Sequence, residues 1–281
     1  MKIAVLSGKG GTGKTLVSVN LAAVADSGGY FDCDVEEPNG HLFLKPSLIE
    51  EEEVTSLKPV VDMDLCDGCK ICVQACVYKA LAYIPGELMI FDEICHACGL
   101  CTYLCPQKAL TETPRLIGKV TRGKRGTLTV HTGVMNVGQS SGVAIIKELL
   151  NQLDDDLSII DNPPGSGCLV HETIEHADYC ILVAEPTIFG AQNLALVHEL
   201  TQVLNKPCGV LLNKVEEGTN PSQIYANEHD LKILASIPYD PYLALESSNA
   251  NLIVEKSEKY RAFFTTLLKE VIDEATLTAQ R

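Results

Sequence analysis

A glycine-rich loop directly behind the first apolar run constrains the fold more than any other feature of this chain. The loop, GKGGTGKT at positions 8–15, follows the apolar residues 2–6, and beyond it apolar residues recur at helical spacing as far as Ala25. Glycine adopts backbone conformations that other residues avoid, so this loop can turn tightly. The segment predicts a strand, a loop and a helix, the opening of an α/β fold.

Further apolar runs have the length of buried strands. They occupy residues 157–160, 179–184, 209–212 and 233–237, and a helical pattern covers 192–204. Continuous apolar runs are typical of parallel strands that are covered on both faces. The alternation of strand and helix therefore predicts a mainly parallel sheet with helices on both faces.

The charge balance excludes some partners. The chain has 22 Lys and Arg against 37 Asp and Glu, a net charge of −15, which opposes binding to nucleic acid and to anionic membranes. No apolar run approaches the roughly 18 residues that span a bilayer, and the first residues lack the pattern of a secretory signal. We expect a cytoplasmic protein.

The loop also carries the chemistry of phosphate binding. Its backbone N–H groups and the following helix N-terminus favour an anion, Lys14 can reach the β- and γ-phosphate oxygens, and the Thr15 hydroxyl can bind Mg²⁺. The predicted nucleotide-binding residues of the loop are Gly8, Lys9, Gly10, Gly11, Thr12, Gly13, Lys14 and Thr15.

With its additional lysine, Lys9, the loop resembles the deviant Walker A loop of the Mrp/MinD/ParA class of P-loop ATPases, to which the nitrogenase iron protein also belongs. The resemblance implies ATP binding, Mg²⁺-dependent hydrolysis and a homodimer or a heterodimer with a paralogue. It implies that Lys9 reaches the partner subunit's nucleotide, where a cation stabilises the charge that develops on the transferred phosphoryl group.

Two more segments match the same class. DCDVEEPN (32–39) resembles switch I, which implies that Asp34 orients the attacking water, and IIDNPPG (159–165) resembles switch II, with Asp161 near the metal and Gly165 as a hinge. The implied catalytic residues are Lys9, Lys14, Asp34 and Asp161, and the implied Mg²⁺ residues are Thr15, Asp34 and Asp161.

A fourth match concerns the base of the nucleotide. GVLLNK (209–214) resembles the strand end that reads adenine, which implies a contact from Asn213, with Pro238 on the other side. The chain departs from the class in that only eleven residues separate Asn20 from Asp32. We therefore expect a short second strand whose functional end is intact.

Eight of the twelve cysteines form a duplicated motif. Cys-x2-Cys-x2-Cys-x3-Cys occurs at 66–76 and again at 95–105, displaced by 29 residues. Clustered cysteines without an export signal favour metal over disulfides. Zinc is a competing interpretation, although structural zinc usually takes two separated Cys-x2-Cys pairs.

The motif resembles that of bacterial two-cluster ferredoxins, in which each run gives three ligands to one 4Fe–4S cluster and its fourth cysteine to the other. The resemblance implies one cluster on Cys66, Cys69, Cys72 and Cys105, and a second on Cys76, Cys95, Cys98 and Cys101.

The cysteine-rich block is bounded by the acidic run 50–53 with Pro59 and by Pro114. We predict an inserted ferredoxin-like domain at 59–114 within an ATPase core of 1–58 and 115–281. Basic residues between 115 and 125 are either a solvated linker face or a docking patch for an acidic partner.

Single cysteines are usually buried thiols, and we expect this of Cys33, Cys180 and Cys208. Cys168 follows the segment that resembles switch II, where paired copies could hold a bridging cluster.

Together, the nucleotide-binding and cysteine motifs predict an ATPase whose dimer rearrangement drives electron transfer to a redox client, or maturation of an iron–sulfur or metal centre in a client. The alternative is a positioning ATPase of the MinD/ParA type with a redox-sensing insert. An amphipathic segment at 263–272 would suit a membrane tail, but its acidic residues favour packing against the sheet.

Overall fold

The computed structural model describes residues 1–154 and 156–279. Its centre is a nine-stranded sheet in the order β11-β10-β9-β1-β8-β2-β7-β6-β3, beside a small β4-β5 hairpin. The strands are β1 Lys2–Leu6, β2 Gly28–Asp32, β3 Ser47–Val61, β4 Leu81–Ile84, β5 Glu87–Ile90, β6 Leu110–Arg125, β7 Leu128–Met135, β8 Ser158–Asp161, β9 Tyr179–Ala184, β10 Cys208–Val215 and β11 Ile233–Pro238.

Most of the sheet is parallel, as predicted. Every neighbouring pair from β11 to β7 is parallel, whereas β7-β6 and β6-β3 are antiparallel. In the central pairs, Val5 of β1 lies opposite Asp161 of β8, and Leu6 lies opposite Leu182 of β9. The carboxyl ends of the central strands therefore meet at one edge, where the glycine-rich loop follows β1.

Helices cover both faces of the sheet, which confirms the predicted layers. Ile3 and Val5 share a core with α1 and α11, whereas the alternate residues Ala4 and Leu6 share a second core with α5 and α7. The helices are α1 Lys14–Ala25, α2 Gly40–Leu44, α3 Ile71–Ala75, α4 Leu100–Leu104, α5 Val143–Leu150, α6 Cys168–Glu175, α7 Ile188–Val203, α8 Pro221–Glu228, α9 Pro241–Ser248, α10 Ile253–Lys256 and α11 Glu258–Ala279.

The second strand is short, as predicted from the interval before Asp32. β2 has five residues and begins at Gly28, whose φ is +88°. A Cβ at this position would collide with the carbonyl oxygen of Leu157, so glycine is required where β2 enters the sheet.

A long antiparallel ribbon connects the sheet to the cysteine-rich block. Strands β3 and β6 pair from Ser47 opposite Lys124 to Val61 opposite Leu110. The acidic run 50–53 therefore lies inside β3 and faces residues 119–122 of β6, and the carboxylate of Glu51 is 2.9 Å from Nζ of Lys119.

The basic stretch is thus part of a paired strand, in which Arg115, Arg122 and Lys124 are exposed as on a solvated face. Its role as a docking patch stays a prediction. The proposed domain bounds, 58/59 and 114/115, both fall within the ribbon.

The cysteine-rich block repeats in its backbone as well as in its sequence. It contains α3, β4, β5 and α4, and its apolar residues form a third core that includes Leu81, Leu88 and Leu110. Left-handed backbone conformations recur 29 residues apart, at 68 and 97, at 70 and 99, and at 79 and 108. The two halves therefore have corresponding turns.

The last helix packs on the ATPase core. Its residues Phe264, Leu267 and Val271 are buried in the core that α1 lines. This agrees with the expected packing of 263–272 against the sheet. Among the described residues, no helix is both long enough and apolar enough to cross a membrane.

Candidate functional site

A cavity of about 570 Å³ opens at the carboxyl edge of the parallel strands. The glycine-rich loop forms one wall, and the ends of β10 and β11 form the opposite one. The predicted nucleotide-binding residues that line it are Gly10, Gly11, Gly13, Lys14, Thr15, Asn213 and Pro238. The glycines present backbone groups and Lys14 a cation, a surface suited to a polyphosphate.

Lys14 is the charged centre of this site. Its Nζ lies 2.8 Å from Oδ1 of Asp161 and 3.6 Å from Oδ2 of Asp34. Burial alone would lower the pKa of Lys14, but the carboxylates of Asp161 and Asp34 raise it above its ordinary value. The ammonium group therefore stays charged next to the cavity.

The two carboxylates occupy different positions. Asp161 is fully buried and also accepts a hydrogen bond of 3.0 Å from the hydroxyl of Tyr30, whereas Asp34 is partly exposed and lines the cavity with Thr15. Burial raises the pKa of Asp34 although Lys14 opposes the shift. Asp34 and Thr15 thus present oxygen atoms to the cavity, and the buried Asp161 forms an ion pair with Lys14.

A third carboxylate, Asp32, shapes the backbone of this segment. It is fully buried, and its side chain accepts hydrogen bonds from the amides of Asp34, at 3.3 Å, and Gly40, at 2.8 Å. Burial and the negative charge of Asp161 raise the pKa of Asp32 above its ordinary value. Asp32 therefore fixes the turn that presents Asp34.

Asn213 binds the loop itself. Its Nδ2 donates a hydrogen bond of 2.7 Å to the carbonyl oxygen of Thr12, and its Oδ1 accepts one of 2.9 Å from the amide of Lys214. Gly13, at φ +97°, passes so close that a Cβ there would collide with the Asn213 amide. The end of β10 thus holds the loop against the start of α1.

The second lysine of the loop, Lys9, points to an acidic residue of its own chain. Its Nζ lies 2.6 Å from Oε2 of Glu185, and Nζ of Lys214 lies 2.6 Å from Oε1 of the same residue. Partial burial alone would raise the pKa of Glu185, but Lys214 and Lys9 hold it below its ordinary value. Glu185 therefore bridges the two lysines as a carboxylate.

The other residues of the matching segments lie around the loop. Gly8 packs so tightly on Asn193 of α7 that a Cβ there would collide with it, and Gly165, at φ +97°, donates an amide hydrogen bond of 2.9 Å to Ser7. The hydroxyl of Thr12 is buried and lacks a hydrogen-bond partner within residues 1–154 and 156–279. The segment that resembles switch II is therefore joined to the loop by a backbone contact.

The eight clustered cysteines line two separate small cavities in the block between β3 and β6. One is lined by Cys66, Cys69, Cys72 and Cys105, and the other by Cys76, Cys95, Cys98 and Cys101. Each set takes three cysteines from one sequence run and one from the other. No group of three or more His, Cys, Asp or Glu side chains in the described chain is placed to hold a single metal ion.

Two cysteine sulfurs accept matching backbone hydrogen bonds. The amide of Ala80 donates to Sγ of Cys76, and the amide of Ala109 donates to Sγ of Cys105, both at 3.3 Å. These two sulfurs belong to the cysteines that cross between the runs. Backbone hydrogen bonds to ligand sulfurs are among the features that set the potential of an iron–sulfur cluster.

The four single cysteines differ in exposure. Cys33 and Cys180 are buried and Cys208 is partly buried, in keeping with packed thiols, whereas Cys168 is exposed at the start of α6.

Comparison with known proteins identifies the class. The chain matches the model of the CobQ/CobB/MinD/ParA nucleotide binding domain over residues 3–253. It therefore belongs to this family of P-loop nucleotide-binding proteins.

Relatives and solved structures agree with that membership. An uncharacterised protein of Methanocaldococcus jannaschii is 32% identical over 265 residues, which cover 92% of each chain. In structure, the cell-division ATPase MinD of Pyrococcus furiosus matches with a TM-score of 0.60, 19% identity, and coverage of 97% of this chain and 98% of that one. MinD of Pyrococcus horikoshii, solved with Mg-ADP, gives a TM-score of 0.59 at 19% identity over 96% and 95%. The last two matches show the shared fold.

Sequence reasoning missed three residues of this site: Tyr30, Glu185 and Lys214. Glu185 directly follows β9, just as Asp161 ends β8. A search for acidic residues at the ends of all apolar strands would have found it. Tyr30 carries no such signal, because its hydroxyl reaches Asp161 from within an apolar strand.

Proposed function

We propose that this protein is a dimeric Mg-ATPase of the MinD/ParA type that carries two 4Fe–4S clusters, and that nucleotide-driven rearrangement of the dimer controls electron transfer to, or maturation of a metal centre in, a client protein. The partition of the eight cysteines between two cavities carries the iron–sulfur part of the proposal. Family membership and the geometry around Lys14 support the ATPase part.

In this proposal the nucleotide lies in the 570 Å³ cavity. Lys14 binds the β- and γ-phosphate oxygens from one side, and the backbone amides of the loop bind from the other. Adenine lies between Asn213 and Pro238, which line the same cavity. The Mg-ADP bound to MinD of P. horikoshii supports a nucleotide of this kind.

The residues fit a magnesium-assisted hydrolysis. Thr15 and Asp34 present oxygen ligands of the type that Mg²⁺ prefers, and the metal would neutralise charge on the phosphates. Asp34 orients the attacking water and Asp161 keeps Lys14 in place. Lys9 reaches the partner subunit's nucleotide after leaving Glu185 and supplies positive charge to the transferred phosphoryl group.

The cysteine sets fit two four-iron clusters by their donor chemistry. Each set offers four thiols around a cavity, as a cluster with one thiolate for each iron requires, and such clusters accept or donate single electrons. Iron–sulfur cluster carrier proteins of Pyrococcus abyssi and Pyrococcus horikoshii give further support, being 46% and 48% identical over 61 residues, 20% of each chain.

The cysteine-rich block is linked to the ATPase core at three places. The ribbon of β3 and β6 is the covalent link, Nζ of Lys58 donates to the carbonyl oxygen of Asp92, and Oγ of Ser140 donates to that of Cys95 at 2.8 Å. Through these links a movement of the core would change the position of the cluster-binding cavities relative to a client.

Metal analysis of anaerobically purified protein tests the proposal. We expect about eight irons and as much acid-labile sulfide for each chain. Electron paramagnetic resonance spectra should change on addition of Mg-ATP. Zinc in place of iron, or spectra that are identical with and without nucleotide, would contradict it.

The role of Lys9 is tested separately. We expect Lys9→Ala to bind ATP but to lose turnover and nucleotide-driven dimerisation. The cation that each subunit supplies to its partner's nucleotide is absent from this variant. Equilibrium binding, phosphate release and sedimentation of the same preparation measure the three properties. Full hydrolysis by this variant would disprove the exchange between subunits.

A further inference from the structure

A second polar cavity lies where the cysteine-rich block meets the ATPase core. It has a volume of about 200 Å³, several times the roughly 30 Å³ share of one water molecule in the liquid. Ribbon residues, the loop before α5, the first turns of α5 and the segment 95–97 surround it. It shares no lining residue with the nucleotide cavity.

The charge of this cavity is the reverse of that of the chain. Lys58 and Lys147 line it, and none of its lining residues is acidic, in a protein with a net charge of −15. Lys147 pairs with Glu172, at 3.7 Å, whereas Lys58 has no carboxylate partner among the described residues.

Lys58 carries the strongest part of this argument. It is only 4% exposed, and its ammonium group donates to the carbonyl oxygen of Asp92 and, at 3.2 Å, to Oε1 of Gln139. Both acceptors are neutral, and Lys58 forms no ion pair within the described part of the chain. A buried ammonium group without a counter-charge is unfavourable, and an anion in the cavity would offset that cost.

Other groups around the cavity also suit an anion. Helix α5 starts there at Val143 after Gly142, a residue without a capping side chain, so the positive end of the helix faces the cavity. The hydroxyls of Ser140 and Ser141 line the wall; that of Ser140 donates to the carbonyl oxygen of Cys95, and that of Ser141 accepts from the amide of Val143 at 3.4 Å. Lys147 carries its exposed amine on the same helix, 3.7 Å from Glu172.

We propose that this cavity binds a small oxyanion of the phosphate type between Lys58 and the start of α5. A tetrahedral anion can accept hydrogen bonds from Lys58, Lys147 and the helix amides together, and this arrangement recurs at phosphate sites. The site is separate from the nucleotide cavity.

Calorimetric titration with inorganic phosphate tests the site in the full-length, anaerobically purified protein. All measurements use the Lys14→Gln background, which removes the main cation of the nucleotide cavity. We expect saturable phosphate binding that Lys58→Gln weakens at least about tenfold, the usual effect of losing a charged hydrogen bond. Lys269→Gln, an exposed substitution on α11, serves as the matched control and should bind as the background does.

A second variant guards against misfolding of Lys58→Gln. Lys147→Gln alters an exposed side chain and should also weaken phosphate binding, to a smaller extent. A parallel titration with acetate distinguishes a phosphate ligand from a carboxylate ligand. Equal affinity for acetate would identify a carboxylate ligand in place of phosphate. Absence of binding in the Lys14→Gln background, or equal affinities in the Lys58, Lys147 and Lys269 variants, would overturn the site.

One consequence rests on the proposed function. Since Cys95 lines both this cavity and one of the two cysteine cavities, a bound anion would add negative charge beside a cluster and lower its reduction potential. A redox titration should show a phosphate-dependent decrease in the protein with natural Lys58 and none in Lys58→Gln. Phosphate binding without this decrease would overturn the redox consequence and leave the anion site intact.

Discussion

At the scale of single residues, the unusual feature is the carboxylate that holds two lysines. Glu185 lies at the end of β9 and contacts Lys9 of the loop and Lys214 from the end of β10. Lys214 also donates to the carbonyl oxygen of Gly11 at 2.7 Å, so it stays at the loop whether or not Lys9 does. Among the described residues Lys9 makes no second contact of this kind, so it is the more easily released of the two.

If Lys9 acts on the partner subunit, its pairing with Glu185 competes with dimer formation. We expect Glu185→Gln to tighten nucleotide-driven dimerisation by up to about fivefold, because a partly exposed ion pair contributes about 1 kcal/mol or less. Sedimentation velocity with Mg-ATP and a slowly hydrolysed analogue measures this. Glu172→Gln breaks a different Lys–Glu pair and should leave dimerisation unchanged; a weaker dimer for Glu185→Gln would contradict the competition.

A second residue-scale prediction concerns pH. His131 is 5% exposed and stacks on Phe31 with ring centroids 4.4 Å apart, and burial is the main cause of its lowered pKa. Below pH about 6.5 the unfolded chain therefore holds more protons at this position than the folded one, so the free energy of unfolding falls as pH falls.

We expect His131→Phe, which keeps an aromatic ring on Phe31, to reduce this fall by at most about 1 kcal/mol between pH 6.5 and 5.5. Urea unfolding at a series of pH values measures the change. His176→Phe, at an exposed position, is the matched control for introducing an aromatic ring in place of a histidine. Parallel pH profiles for wild type and His131→Phe would show that His131 does not contribute.

At the scale of elements, the parts that sequence predicts are those with local patterns. The glycine-rich loop, the central parallel strands and the two cysteine runs each lie within a short stretch of chain. The sequences of strands β3 and β6 contain no such local pattern. The acidic run 50–53 has the composition of a solvated boundary, and it forms a strand because basic residues some 70 positions later pair with it.

The same reasoning explains which site residues were missed. Partners such as Tyr30 and Asp161 are 131 positions apart, and their hydrogen bond becomes visible only after the sheet is assembled. Asn20 is another example: inside α1, its Nδ2 donates to the carbonyl oxygen of Leu16 at 2.8 Å, and its Oδ1 accepts from the amide of Val254, in the first turn of α10, at 3.2 Å.

The buried side chain of Asn20 should stabilise the packing of α10 on α1. We expect Asn20→Ala to lower the free energy of unfolding by about 1 to 3 kcal/mol, because the buried amide of Val254 loses its acceptor. Chemical denaturation measures the loss. Asn227→Ala, an exposed helical asparagine on α8, should change stability by less than about 0.5 kcal/mol, and equal values for the two variants would contradict a role in docking.

At the scale of the whole molecule, two cores belong to the sheet and its helices, and a third belongs to the cysteine-rich block. The ribbon of β3 and β6 joins them, and its pairing continues to Val61 opposite Leu110. A short turn between Val61 and Leu110 could therefore join the two strands of the ribbon in place of residues 62–109. This organisation supports a core that folds independently of the block.

Replacement of residues 62–109 by Asn-Gly tests that independence, because a two-residue turn of this sequence suits two paired antiparallel strands. We expect the shortened chain to bind ATP and to dimerise with nucleotide but to hold no iron. Its free energy of unfolding should fall by about 1 to 3 kcal/mol, since the hydrogen bonds from Lys58 to Asp92 and from Ser140 to Cys95 are lost. Isothermal titration with Mg-ADP and iron analysis measure both properties. A soluble, folded chain that fails to bind nucleotide would show that the cysteine-rich block takes part in forming the nucleotide site, which its separate core argues against.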